Sequence, residues 1–285
     1  MRSLSFVTLT AGLAAALSTP AFAQDTTDVA PFSGLYAGGS IGFDAQPNDG
    51  GSGLLFDRNL DGTFGDTVSL AAPQVNGNTN AFAPGFCNGR ARSNANFNCA
   101  KDKDGMSYAA RLGFDKQMGN VVVGLVGEFG KPEIRDSVSG FSTTPAAYVF
   151  TRKVKYDASV RARVGYAANT TLFYATGGPA YAKVRHSFYT INNNANAFAA
   201  DGDNDTWGFV AGGGIEQKLG RNFSIGLEYL YNQYKDDDYT VRVSRGTALA
   251  TNPFVLAPNT TGTDIQRSDD KFRWHSVRAT AAFRF

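Results

Sequence analysis

Residues 275–285 read HSVRATAAFRF, and only a period of two sorts them. Val277, Ala279, Ala281, Phe283 and Phe285 fall on one side; Ser276, Arg278, Thr280, Ala282 and Arg284 fall on the other. The same alternation runs through 35–43, 106–118, 121–130, 158–168, 172–184, 207–219 and 223–234, and through the whole of 272–285. It predicts eight strands. Gly119-Asn120, Asn169-Thr170 and Gly220-Arg221-Asn222 read as tight hairpin turns, because glycine and asparagine accept the left-handed conformation such turns need. The links 44–104, 135–150, 189–204 and 242–267 are long and polar. Short and long connections interleave, which puts every short turn at one end. The pattern is an all-β, up-and-down antiparallel meander with long loops at the other end.

The two faces differ in kind. One carries Tyr108, Leu112, Phe114, Val121, Val123, Leu125, Phe129, Val160, Val164, Tyr166, Phe209, Ile215, Phe223, Ile225, Leu227, Tyr229 and Tyr231. The other carries Arg111, Glu128, Arg161, Arg163, Glu216, Lys218, Glu228, Arg278 and Arg284 among many glycines. In 172–184, the hardest segment to phase, Leu172, Tyr174 and Thr176 are assigned to the apolar face. A soluble barrel would turn the charges to water. Glycine opposite arginine makes little sense there, but it makes room inside a narrow barrel, where buried charge must be partnered. The apolar face therefore points outward, to lipid. Aromatic residues band both ends, with Tyr229, Tyr231, Tyr234, Trp207, Phe272 and Trp274 at one and Phe114, Tyr166, Phe223, Phe283 and Phe285 at the other.

Composition agrees with this picture. Glycine is abundant (32 of 285 residues), aromatics make up 13% and charged residues only 18%. The mean hydropathy of −0.24 is too polar for a helical membrane bundle, though not for a barrel. Residues 1–23 have a basic start, a short apolar run and Ala21-Phe22-Ala23, which reads as a cleaved secretory signal. They contain one basic and no acidic residue, so the net charge of +2 becomes +2 − 1 = +1 after cleavage. Nothing in that balance suggests nucleic acid. Cys87 and Cys99 suit an oxidising compartment, and a disulfide between them would contribute about 3 kcal/mol through chain entropy.

The signal segment, "FSGLYAGGSIGF", "GGGIEQKLGRNFSIGLEYLY" and the terminal "RATAAFRF" together resemble the small Gram-negative outer-membrane barrels of the OmpA-like and opacity type, often called porin family proteins. The resemblance covers nearly all of the mature chain except the first long loop. It implies an eight-stranded transmembrane barrel (35–285) behind a short periplasmic segment (24–34). The hairpin turns would lie in the periplasm and four loops outside the cell, Cys87–Cys99 in the first. It also implies that Ala279, Ala281, Phe283 and Phe285 form the signal read by the barrel-insertion machinery, with lipid and lipopolysaccharide as surroundings. Eight strands enclose a space that side chains fill, so a wide pore is not expected.

As function, the family implies a structural or surface-interaction role in the envelope. A narrow channel and a soluble periplasmic lipocalin-like carrier are the alternatives. "DRNLDG" places Asp57, Asn59 and Asp61 before Gly62, like the first half of a calcium loop; Val68 stands where the bidentate acid belongs, with Asp66 nearby. Asp201, Asp203 and Asp205 repeat the idea more weakly. Calcium is thus the one cofactor candidate. The two histidines, His186 and His275, are each followed by serine, but neighbours on a strand face opposite ways, so His275–Ser276 cannot form a catalytic pair. Both histidines read as interfacial anchors and no enzyme is expected.

Overall fold

The structure is a computed structural model and describes residues 30–47, 52–192, 195–202 and 204–285. The predicted signal (1–23), most of segment 24–34 and Asp203 lie outside the described residues. Numbered along the chain, the strands are β1 (Gly34–Ala45), β2 (Leu54–Asp57), β3 (Phe86–Asn88), β4 (Gly105–Met118), β5 (Val121–Pro132), β6 (Arg135–Ser142) and β7 (Ala146–Ala168). They continue with β8 (Thr171–Thr190), β9 (Ala197–Asp201), β10 (Asp205–Leu219), β11 (Phe223–Lys235), β12 (Thr240–Ser244), β13 (Gly262–Arg267) and β14 (Lys271–Arg284).

Eight of these pair antiparallel in chain order, β1-β4-β5-β7-β8-β10-β11-β14, and β14 returns to β1 through Tyr36↔Arg284 to Ala45↔His275. The result is a closed eight-stranded barrel with no free edge. The short turns lie where alternation placed them, and Gly119, Asn169 and Gly220 take positive φ (60°, 55° and 77°) to make them.

Alternation also set the faces. Leu112, Leu125, Val160, Val164 and Phe209 are exposed on the outer wall, and the charged set is buried inside. Gly113 shows why glycine accompanies it: a Cβ there would overlap the Tyr36 ring. One strand departs from expectation. Leu172, Tyr174 and Thr176 point inward, at 0%, 8% and 6% exposure, while Phe173 faces outward. Leu172 and Tyr174 pack with Phe32, Val122 and Ala167, closing the short-turn mouth of the barrel with apolar side chains. The true outer face of β8, with Ala175, Gly177 and Pro179, is simply the less hydrophobic one. Three of the predicted band aromatics, Tyr234, Phe272 and Trp274, also turn inward.

The long links are not mere connections. β2, β13, β12 and β9 form a separate four-stranded sheet, and β6 extends the barrel wall along β7, with β3 beside it. Residues 135–150, read as loop, are largely this hairpin. Leu54, Phe56, Phe82, Tyr148, Phe150 and Ile265 join a hydrophobic core beyond the barrel rim. A 3-10 turn at Pro253–Val255 adds Phe254 to it; Asn252 caps the turn by accepting the Phe254 amide at 3.1 Å. The barrel thus carries a folded cap.

Candidate functional site

The barrel interior is built from the strand registers. Pairing of β4 with β5 sets Arg111 beside Glu128, and pairing of β11 with β14 sets Glu228 beside Arg278. The side chains meet in one network: Arg111 Nη2 to Glu228 Oε1 at 2.9 Å, Arg161 Nη2 to Glu128 Oε2 at 2.9 Å, and Arg278 Nη1 to Glu128 Oε1 at 2.5 Å. Arg161 also reaches Glu228 at 3.4 Å, and the Tyr174 hydroxyl donates to Glu228 at 3.0 Å. A second network lies nearer the short turns. Arg163 pairs with Asp115 (2.9 Å) and Glu216, and Arg284 pairs with the same two carboxylates at 3.0 and 3.3 Å. Lys218 is buried beside this level.

Five guanidinium groups therefore face Glu128, Glu228, Asp115, Glu216 and, at 3.9 Å from Arg278, Asp44. Such networks add little net stability, but removing one member strands a buried charge at about 3–5 kcal/mol. Asp44 and Asp115 were not singled out in the sequence. Both continue the inward alternation of their strands, Gly42/Asp44 and Arg111/Gly113/Asp115, and parity alone would have found them.

Above the networks the interior becomes apolar. Val184, Val210, Leu230, Tyr234, Phe272 and Trp274 form one buried cluster across the lumen. Above that sits fully buried Arg152, bound to Asp136 (2.6 Å), Asp236 (3.2 Å), Asp269 (3.1 Å) and the Lys271 carbonyl (2.9 Å). Arg267 shares Asp136 at 2.7 Å. Burial alone would raise the Asp236 carboxyl, but the His186 hydrogen bond and the Arg152 charge hold it down at about 2. Asp102, accepting the Ser137 amide at 2.7 Å, is pushed up to about 7 by burial and then by the charge of Asp136.

His186 is therefore no interfacial anchor. It points inward, Nε2 2.7 Å from Asp236 and stacked on Tyr239, and its Nδ1 has no hydrogen-bond partner among the described residues. Among the described residues no hydroxyl is hydrogen-bonded to this imidazole, and the pair lies beneath the cap. His275 stays on the outer wall, with Nδ1 2.6 Å from the Tyr229 hydroxyl. Ala279, Ala281 and Phe283 also face outward on β14, as does Phe285 just beyond it, with Phe283 and Phe285 in edge contact at 5.3 Å.

In the cap, Cys87 and Cys99 are joined by a disulfide with Cα atoms 6.2 Å apart, packed on Phe141 and Val149. The oxygens of the calcium-like turn serve their own loop. Asp57 accepts the Gly62 amide (2.8 Å), Asp61 the Thr63 amide (2.7 Å) and the Asn59 amide group (2.8 Å), and Asp66 the Arg58 amide (2.9 Å). Among the described residues no group of three or more histidine, cysteine or acidic side chains is gathered as a metal site. Asp205 is engaged by Lys183 and Tyr181, and Asp201 accepts the Gly202 amide.

No family model matches the chain. Its sequence is similar to the 31 kDa outer-membrane immunogenic protein of Brucella melitensis, 33% identical over 129 residues, or 45% of this chain and 53% of that one. This is an outer-membrane β-barrel protein. Similar matches include the 22 kDa outer membrane protein of Rhizobium leguminosarum, 30% identical over 45% of this outer-membrane protein and 52% of the relative. The chain spans about half the length of the curated relatives it matches. Among solved structures, OprG from Pseudomonas aeruginosa aligns with a TM-score of 0.45 and 12% identity over 89% of this chain and 96% of that one. The protease OmpT from Escherichia coli aligns at 0.39 and 11% over 94% and 99%.

Proposed function

We propose that this outer-membrane protein is a plugged barrel whose task is to hold a folded, disulfide-linked cap at the cell surface, contributing to envelope integrity and surface contacts rather than to catalysis or permeation. The observation that carries the reading is the layered lumen. From the periplasmic side it holds the Leu172 layer, the two arginine–carboxylate networks, the Trp274 layer and the Arg152 cluster. An ion crossing it would have to part several buried pairs in succession, each costing a few kcal/mol to break. The His186–Asp236 pair is shared with Arg152, which fits a structural part for it in holding the cap. The outward Ala279, Ala281, Phe283 and Phe285 fit the role of an insertion signal for the barrel-assembly machinery.

Planar-bilayer recording of the purified protein tests the reading. No steady conductance is expected; a stable, voltage-tolerant current would overturn it in favour of a narrow channel.

A further inference from the structure

One residue outside the Arg152 row, the same strands carry a very different row. Inward, Asp136, Arg152 and His186 are cross-strand partners whose charges are balanced by acids. Outward, Lys103 pairs with Arg135, Arg135 with Lys153, and Lys153 with Arg185. Cross-strand partners share a face, so four cations stand side by side over about 14 Å at a strand spacing of roughly 4.8 Å. Lys103, Arg135 and Arg185 are exposed and Lys153 is half-buried. Among the described residues none of the four makes an ion pair, unlike nearby Lys131 and Lys183, which pair with Glu133 and Asp205. Like charges directly opposed across a sheet are destabilising, so the fold alone gives no reason for this row.

Below the row, on the same sector of the wall, four rings touch in sequence. Phe129 meets Tyr156 at 5.5 Å, Tyr156 meets Tyr181 at 6.5 Å, and Tyr181 meets Trp207 at 5.4 Å. Arg185 lies four residues above Tyr181, roughly 13 Å along β8, and less along the membrane normal because barrel strands tilt. Long basic side chains bend across such a distance. Beneath the rings an outer groove of about 750 Å³ is lined by Leu112, Phe129, Val160, Pro179, Tyr181 and Trp207. Pro179, with no amide to donate, opens the β7–β8 ladder there: Ser159↔Ala180 and Ala162↔Gly177 pair, and the residues between them do not.

We infer that the β5–β8 sector is a binding site for a multiply phosphorylated, multiply acylated saccharolipid of the outer leaflet, its phosphates on the Lys103–Arg135–Lys153–Arg185 row and one acyl chain in the groove beneath the aromatic belt. Lysine and arginine donate charge-assisted hydrogen bonds to phosphate oxygens. A single phosphate cannot neutralise four cations spread over about 14 Å, whereas a disaccharide carrying two can. The apolar groove selects a lipid over a free phosphate. This inference does not depend on whether the lumen conducts.

The test titrates hexa-acylated diphosphoryl lipid A into the full mature protein in zwitterionic detergent, with the dephosphorylated lipid as comparator. The triple variant Arg135→Gln, Lys153→Gln, Arg185→Gln is expected to bind the diphosphoryl lipid ~10-fold or more weakly. It should keep heat-modifiable gel mobility and melt no lower than the parent, because it relieves repulsion. The charge-keeping triple Arg135→Lys, Lys153→Arg, Arg185→Lys should bind within about 2-fold of the parent. So should a triple with equal charge loss elsewhere, Arg92→Gln, Lys116→Gln, Arg245→Gln. The inference is overturned if the row triple binds like the parent, if the distant triple loses as much, or if the parent holds the dephosphorylated lipid equally well. Should the row triple not fold, Arg185→Gln alone is read the same way, with a smaller loss.

Discussion

Replacing Arg152 by methionine tests what ties the cap to the barrel. The guanidinium is fully buried and joins β7 to Asp136 on β6, Asp236 beyond β11, and Asp269 and the Lys271 carbonyl at the start of β14. It also lies 4.6 Å from the centre of the Phe272 ring, so methionine replaces much of the apolar contact but none of the five hydrogen bonds. Arg267 and His186 still serve Asp136 and Asp236; Asp269 keeps Arg273 at 3.2 Å. Three carboxylates then share less compensation, and the expected cost is about 3–5 kcal/mol. That raises the open population of the cap by roughly two to four orders of magnitude. Limited proteolysis of the folded protein reads it directly: cleavage within 54–104 and 240–267 should accelerate by that factor. The barrel, whose own networks are untouched, should keep its heat-modifiable mobility. Arg152→Lys, which keeps charge but not the planar fork, should fall between. Unchanged proteolysis, or simultaneous loss of barrel and cap, would refute the account.

Asp102 gives a pH dependence. Its carboxyl is raised to about 7 against an ordinary value near 3.8, so it stabilises the cap most when protonated, and that contribution is lost as pH climbs from about 4 to 7. Proteolysis should accelerate over that window and Asp102→Asn should flatten the profile; an identical profile in the variant counts against it. Below about 4 the lowered Asp136 and Asp236 act in the opposite sense, losing stability as they protonate. Replacing Cys87 and Cys99 by serine should loosen the first loop by about 3 kcal/mol, seen as faster amide exchange around 87–99 without a change in barrel mobility. Gly212→Ala should block barrel assembly, because its Cβ would overlap the Tyr229 carbonyl, whereas Gly127→Ala, with nothing nearer than the Leu112 carbonyl at 3.8 Å, should assemble normally on a heat-modifiability gel.

Strands, turns and most of the wall were legible because a two-residue period is a local signal and one face is lipid. Arg111, Glu128, Glu228 and Arg278 could be placed inside for the same reason, and the Arg111–Glu128 pairing follows from the hairpin register that Gly119 fixes, whereas Glu228 and Arg278 meet across β11 and β14, which only the long fourth link joins. Where the lumen itself turns apolar, polarity no longer marks the inner face. That is why Leu172 and Tyr174 were assigned outward and why Trp274 was read as a band residue. The Arg152 cluster was hidden because β7 begins at Ala146, twelve residues before the alternation became recognisable at 158. The cap was invisible because its apolar residues sit in runs as short as Leu54–Asp57 and Thr240–Ser244, each meaningless until the others arrive.

That last property governs the order of assembly. The cap core takes Leu54 and Phe56 from the first loop, Tyr148 and Phe150 from the second, Phe198 from the third, and Val241, Val243 and Ile265 from the fourth. No loop can bury its share alone, so the core has no local nucleus and waits for contacts remote in sequence. Those contacts exist only once β1 and β14, holding Tyr36 and Arg284 from opposite ends of the chain, have zipped together. Cap formation is therefore the closing event of biogenesis. A conformational antibody against the cap would count finished barrels and ignore every chain stalled during insertion.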